Sequence, residues 1–241
     1  ATLEADADSG LGIMRGKPRA GSRPVAGLAA EGLHQAGGLD APVIVTKTNA
    51  RSQIHRGGYM DYIGVLEFDA SGRITGETRF VGLFANSAWG LSPWEVPLVR
   101  QRAQAVLTRS GLDPEGHSGK ALRHILETLP RVELFQSTED ELHATALGLL
   151  GLQERVGARL FLRRDRFSRF HSVLVYLPRE RFNTDLRVRI EAMLKQALDG
   201  EFVDSSVVLG ESPLAQLHLI VRSAGTAMVD VDVAALNAEL A

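Results

Sequence analysis

Two strand-forming runs, Tyr59–Asp69 and Ile74–Phe84, flank the short turn Ala70-Ser71-Gly72-Arg73, and this arrangement constrains the chain more than any other stretch. Apolar and β-branched residues on both sides of a Gly-containing turn predict an antiparallel hairpin. Just before it, the β-branched run Val43–Thr46 reads as a buried strand. Upstream, residues 1–41 hold Gly10, Gly12, Gly16, Gly21, Gly27, Gly32, Gly37 and Gly38, with Pro18 and Pro24. Ordering a backbone that dense in glycine costs more entropy than a regular element easily offsets. That stretch reads as loop, with one short ordered piece at Leu11–Met14.

Three helices follow the hairpin. Ser92-Pro93-Trp94-Glu95 has the order of a helix start, with Ser as cap and Pro first, although Pro97 moves the regular part downstream. Its apolar stripe is Val96, Val99, Ala103, Val106 and Leu107, and Gly111 is the stop. Ser118 reads as the cap of a second helix running through Leu122, Ile125, Leu126 and Leu129 to Pro130. Thr138 and Glu141 form a capping box for a third, which carries Leu142, Ala146, Leu149 and Leu150.

The last third forms a second unit. Arg159–Arg164 and Phe170–Leu177 read as a hairpin about Arg166-Phe167-Ser168. Asn183 caps a helix with the stripe Leu186, Ile190, Met193, Leu194 and Ala197, ended by Gly200. Val203–Leu209 and Gln216–Arg222 alternate apolar with polar residues, as half-buried strands do. Asp232–Leu240 closes the chain as a short helix. The order β-β-α-β-β-α is a circular permutation of the β-α-β-β-α-β plan. It predicts an antiparallel four-stranded sheet with helices on one face. The fold class is α+β.

Composition sets limits on chemistry. A formal net charge of -2 leaves no global field to gather nucleic acid or anionic lipid. There is no cysteine, which excludes disulfides, thiolate metal sites and a cysteine nucleophile, and fits a reducing cytosol. No apolar run reaches the roughly 18 residues of a membrane-spanning helix. The acidic N-terminus lacks the order of a signal peptide. It also lacks an initiator Met, which suggests a piece of something longer.

Few constellations point to catalysis. Gly116-His117-Ser118-Gly119-Lys120 fails as a phosphate loop, because Pro114 stands where a glycine is needed and Ala121 where a Ser or Thr would hold magnesium. His34, His55, His117, His124, His143, His171 and His218 include no pair at helical metal-ligand spacing. Arg163, Arg164, Arg166 and Arg169, interleaved with Phe161, Phe167 and Phe170, have the pattern of a nucleic-acid stacking surface. Asp165 interrupts that run, which reads better as a solvated turn with its aromatics toward a sheet core. Asp61, Glu67 and Asp69 share one parity and are expected to face water. The polar group of greatest interest is Lys47, Asn49, Arg51, Gln53 and His55. These alternate along an extended segment, where Arg51 would clamp a carboxylate in bidentate fashion. An edge strand made polar against aggregation is the reading this pattern favours.

Eight ordered blocks carry a family resemblance: Gly10–Arg15, Val45–Arg56, Tyr59–Phe84, Ser92–Pro97, Gly119–Pro130, Glu133–Gln136, Arg159–Phe167 and Val175–Asn183. Together they resemble the N-terminal segment of the large bacterial NAD-specific glutamate dehydrogenases. The resemblance implies a PAS-like α/β unit followed by an ACT-like, ferredoxin-like domain. It divides the chain into 1–41, a Gly-rich loop or incomplete start of the first domain; 42–136, a PAS-like unit with C-terminal helices; 137–155, a connecting helix; and 156–241, the ACT-like domain. It implies a cytoplasmic, non-catalytic segment for regulation or oligomerisation. No catalytic, cofactor or metal residue falls within the segment, and NAD belongs to the rest of the parent enzyme. Partners would be the remaining polypeptide, other copies of the chain and an amino-acid effector, with Lys47, Asn49, Arg51 and His55 as candidate contacts. Nucleic acid and membrane are not expected partners. The alternatives are a purely structural interaction module, a stand-alone amino-acid-sensing ACT-type protein, and an independent hydrolase, for which the sequence offers no activated nucleophile.

Overall fold

The computed structural model describes residues 2–6, 8–15, 23–24, 42–54, 58–154, 157–210, 212–223 and 229–240. It divides into two compact units, Ala1–Trp89 and Gly90–Ala241.

In the first unit, β1 (Thr2–Leu3) pairs antiparallel with β2 (Arg23–Pro24), a short ladder that the glycine-rich composition did not signal. A single 3-10 turn stands at Gly12–Met14, within the ordered piece expected there. Much of the remaining expected loop lies outside the described residues. The main sheet has the order β3-β4-β5, formed by β3 (Val43–Arg51), β4 (Tyr59–Phe68) and β5 (Ile74–Gly82). Its hairpin turn is built by Asp69, whose Oδ1 accepts from the backbone N–H of Ser71 at 2.8 Å and of Arg73 at 3.0 Å. Gly72 supplies the left-handed residue at φ 77°.

Two glycines in this hairpin exist for close approach. A Cβ at Gly64 would lie 2.2 Å from Glu77 Oε1, because the Glu77 side chain crosses β4 to reach Tyr62. A Cβ at Gly76 would lie 2.8 Å from Glu67 Oε2, with Glu67 crossing β5 on the other face. Each carboxylate lies over a gap in the neighbouring strand. The short helix α1 (Asn86–Gly90) follows β5.

The second unit opens with four helices: α2 (Val99–Ser110), α3 (His117–Thr128), α4 (Arg131–Gln136) and α5 (Glu139–Glu154). The first begins later than Ser92, because Pro97, Leu98 and Val99 form a tight three-residue turn. Val99 N–H donates to the Pro97 carbonyl at 2.8 Å, and Leu98 is held at φ 65°, ψ -52°. For α3 the cap is Gly116, not Ser118, which falls inside the first turn. The Thr138–Glu141 capping box forms in both directions, at 2.8 and 3.2 Å. Helix α4 was missed from sequence, since a single helical turn and a half after Pro130 shows no period. Arg102, reaching from α2, holds its C-terminal carbonyls: Nη1 donates to Leu134, Phe135 and Ser137 oxygens at 3.3, 2.6 and 3.2 Å. Val99, Ala103, Val106, Leu122, Leu126, Leu134, Leu142 and Ala146 are buried between these helices.

Then come β6 (Arg159–Arg164), β7 (His171–Pro178), α6 (Thr184–Leu198), β8 (Gly200–Val208), β9 (Leu214–Ser223) and α7 (Val233–Leu240). The sheet order is β6-β7-β9-β8 with every neighbour antiparallel, which is the order the permuted plan requires. Asn183 caps α6, accepting from Leu186 N–H at 2.8 Å. The helix stops on Asp199 in the left-handed region at φ 42°, not on Gly200. Gly200 is required for another reason: a Cβ there would meet the Arg222 carbonyl oxygen at 2.5 Å.

One sheet face carries Leu160, Val173, Val175, Leu177, Leu217, Leu219 and Val221, packed with Ile190, Leu194 and Leu198 of α6 and Leu236 of α7. The second face was expected to meet water. Instead it is covered by the preceding helices, with Phe161 against α5 so closely that a Cβ at Gly148 would come within 2.6 Å of its ring. Every residue of β7 is accordingly buried, as in strands covered on both sides. Among the described residues no helix is long and apolar enough to cross a membrane.

Candidate functional site

The polar strand end in the first unit resolves into an ion pair and two exposed residues. Lys47 Nζ contacts Asp61 Oδ1 at 2.5 Å and lies 5.7 Å from the centre of the Trp89 ring. Asp61 Oδ2 accepts from Phe84 N–H at 2.8 Å. Asp61 is therefore buried, contrary to the water-facing place expected from its parity. Its charge is matched by Lys47 and its second oxygen by backbone, which is the condition for burying a carboxylate. Asn49 and Arg51 are exposed, with the Arg51 guanidinium 5.0 Å from the Tyr59 ring centre. The ladder shifts register between Lys47 and Arg51, so strict alternation does not run through this stretch. His55 lies outside the described residues.

A second cluster sits on the covered face of the four-stranded sheet. Arg163 on β6 donates to Glu133 on α4 through Nε at 2.8 Å and Nη2 at 2.9 Å. Its Nη2 also donates to Gln136 Oε1 at 3.2 Å. Ser172 on β7 donates to Glu133 Oε1 at 2.7 Å, and its oxygen lies 2.8 Å from His218 Nε2 on β9. A hydroxyl has one proton. Since Ser172 gives it to Glu133, His218 Nε2 carries the hydrogen and donates to Ser172. Burial works to raise the Glu133 carboxyl, but Arg163, with further hydrogen bonding from His218, holds it well below the usual carboxylate range. Arg163 was expected in a solvated turn. It is 7% exposed, because its alternate position on β6 faces the helices.

Serine, histidine and a carboxylate invite comparison with a hydrolytic triad, but the geometry differs. In a triad the acid meets the imidazole nitrogen that the serine does not use. Here Glu133 Oε1 lies 3.5 Å from the same Nε2 that touches Ser172. Ser172 itself is 1% exposed. The cluster is a closed charge network joining four elements.

Other sequence candidates have structural explanations. Gly119 stands at the false phosphate loop because a Cβ there would lie 2.0 Å from the Asp113 carbonyl oxygen. Asp165, 2% exposed, shapes the β6–β7 turn by accepting from Phe167 and Arg169 N–H and from the Arg169 guanidinium. His171 is buried, and burial together with Arg164 holds its imidazole down at about 4. Among the described residues no group of three His, Asp or Glu side chains is placed to hold a metal.

Sequence reasoning did not find Glu133. Its signal was a carboxylate between apolar residues in Val132-Glu133-Leu134-Phe135, together with an arginine in a strand whose partner strand is apolar at both parities.

Comparison with known proteins places these elements. Residues 96–155 match the family model described as glutamate dehydrogenase, helical motif 1, and residues 159–241 that described as glutamate dehydrogenase, ACT2 domain. The chain is 40% identical over 241 residues to the NAD-specific glutamate dehydrogenase of Halomonas elongata, covering 99% of this chain and 15% of that protein. It is 37% identical over 221 residues to that of Pseudomonas aeruginosa, covering 89% of this chain and 14% of the relative. The Mycobacterium tuberculosis protein of the same name is 32% identical over 239 residues, covering 96% and 14%. The chain therefore spans a small part of the length of the curated relatives it matches.

Proposed function

We propose that this chain, which belongs as one segment to the NAD-specific glutamate dehydrogenase family and carries its helical motif 1 and ACT2 domain, is a regulatory and oligomerisation segment without a reaction centre of its own. The parent reaction is the NAD-dependent oxidative deamination of L-glutamate to 2-oxoglutarate and ammonia, carried out elsewhere in the longer polypeptide. NAD belongs to that part. The segment's partners are the rest of the polypeptide, further copies of the chain and an amino-acid effector, in the cytoplasm. Residues 42–136, which hold the three-stranded sheet and run on into the first helices of the second unit, are read as PAS-like, with 1–41 as the Gly-rich stretch before them and 137–155 as the connection to the ACT-like domain at 156–241.

One observation carries this reading. The acid–base groups gathered in the second unit, Glu133, Arg163, Ser172 and His218, are committed to one another beneath a helix. Such a network fixes positions and keeps its own serine, 1% exposed, from a substrate. Exposed Asn49 and Arg51 are the accessible members of the proposed effector contact, with Lys47 holding the strand through Asp61; His55, also proposed, lies outside the described residues.

Thermal stability in the presence of amino acids tests the regulatory half. A ligand at 100 times its dissociation constant stabilises by about 2.7 kcal/mol. We expect that shift with at least one amino acid, and its loss in Arg51→Ala. Stability unmoved by every amino acid removes the effector and leaves assembly, for which a strictly monomeric chain at high concentration would be fatal. Glutamate oxidation by this chain alone would overturn the reading as a whole.

A further inference from the structure

We infer that the helical segment and the four-stranded sheet, which match two separate family models, open and close as one cooperative body, with the Glu133–Arg163 pair as the latch between them. The latch draws on α4, β6, β7 and β9 through Glu133, Arg163, Ser172 and His218. Both charged partners are nearly sealed, at 7% and 6% side-chain exposure. Lifting the helices away would strand two charges, each desolvated on one side by its own element, and a buried charge without its partner is far more costly than an exposed one.

Two further features tie the latch into the helices behind it. Arg102 joins α2 to the end of α4, so α4 does not detach alone. On α5, Gly148 lets the Phe161 ring of β6 approach to a distance that any larger residue would block. Leu174 and Tyr176, on the same sheet face as Ser172, are 3% and 8% exposed and would be uncovered with it. A free-standing sheet of this type needs cover on one face only. This one has apolar and charged groups on both faces, and the second set is satisfied only by the helices.

The inference concerns the fold of this chain and does not depend on the functional reading. Hydrogen exchange on the full 241-residue chain tests it, comparing peptides from α3–α4 with peptides from β7. In the wild-type chain both sets should exchange through one opening with the same dependence on denaturant. Glu133→Ala should speed exchange in both sets together by about a hundredfold or more, as expected for a stranded partner charge. Should that variant fail to fold, Ser172→Ala removes two hydrogen bonds, the one to Glu133 and the one from His218, and about tenfold or greater acceleration is expected in both sets. Sheet peptides that keep wild-type protection while helical peptides lose it, in either variant, would overturn the proposal. So would two separate unfolding transitions within Gly90–Ala241 in the wild-type chain.

Discussion

The two sheets of this chain bury charge in different ways. In the first unit, β4 is only intermittently buried, and the ion pair at its strand end is a single contact between Lys47 and Asp61, with 23% and 7% side-chain exposure. In the second, β7 is buried along its length, and Arg163 meets Glu133 through two parallel hydrogen bonds at 7% and 6% exposure. A point contact near solvent can lose one partner and be rehydrated. A forked contact between two layers cannot. The contrast teaches that the second unit spends its charges on holding layers together, whereas the first uses them to shape a strand end and a turn.

Single substitutions should separate the two cases. Arg163→Met leaves Glu133 buried without its partner and is expected to cost about 3–5 kcal/mol. Lys47→Met leaves Asp61 still accepting from Phe84 N–H, on the side where Lys47 itself is 23% exposed, and should cost about 1–2 kcal/mol. Urea unfolding of both variants checks the ranking. Pairing Arg163→Met with Glu133→Leu should recover most of the larger loss, because an apolar pair of similar size needs no compensation. Equal costs at the two sites, or no recovery in the double variant, would break the comparison.

Acid should sharpen it with a smaller effect. His171 is held at about 4 in the folded chain, below its ordinary value. A depressed folded value means that stability is intact above about 6.5, the unfolded value, and is lost as pH falls toward the folded one. Glu133 is depressed as well, so its contribution is intact above the ordinary carboxylate range and is lost only at more acid pH. In the first unit the Asp69 carboxylate, bonded by Ser71 and Arg73, is held at about 2 and keeps its charge through the His171 window. The urea midpoint of the second unit should therefore fall between neutral pH and about 4. His171→Leu should flatten that fall, and an unchanged slope in the variant would assign the loss to another group.

Local chemistry made much of the fold legible. The Asn183 cap, the Thr138–Glu141 box and the alternation in β9 each depend on neighbours in sequence, and each is found where its residues predicted. The strand order followed from counting elements. What was illegible depends on contacts distant in sequence. Arg163, Ser172, Gln216 and His218 stand at the parity opposite the apolar core, and a polar parity reads as a solvent face. Only the arrival of α4, a helix too short to show a period, reverses that reading. Asp61 escaped for the same reason, since its cover comes from Phe84 beyond the next strand. Of the candidate contacts, Lys47 was legible as a polar strand residue, but its pairing with Asp61 needed the hairpin to close.

The smallest effect expected concerns Ser118, where sequence and structure assign different caps. A serine whose side chain caps a helix loses roughly 1 kcal/mol or more on truncation to alanine. Here Gly116 occupies the cap at φ -71°, ψ 165°, no side chain accepts from the first turn, and the first turn is secured by Lys120 N–H to the Gly116 carbonyl at 3.0 Å. Ser118 lies within the helix, where alanine has the higher propensity. Ser118→Ala should then be neutral or stabilising by a few tenths of a kcal/mol, while Gly116→Ala loses a permissive cap and gains crowding against the Asp113 carbonyl, 3.2 Å from the added carbon. Thermal unfolding of the two variants decides the matter. Destabilisation by Ser118→Ala comparable to a true cap would mean that α3 begins two residues later than drawn, and that the turn from Asp113 to Gly116 is held by something other than the close approach at Gly119.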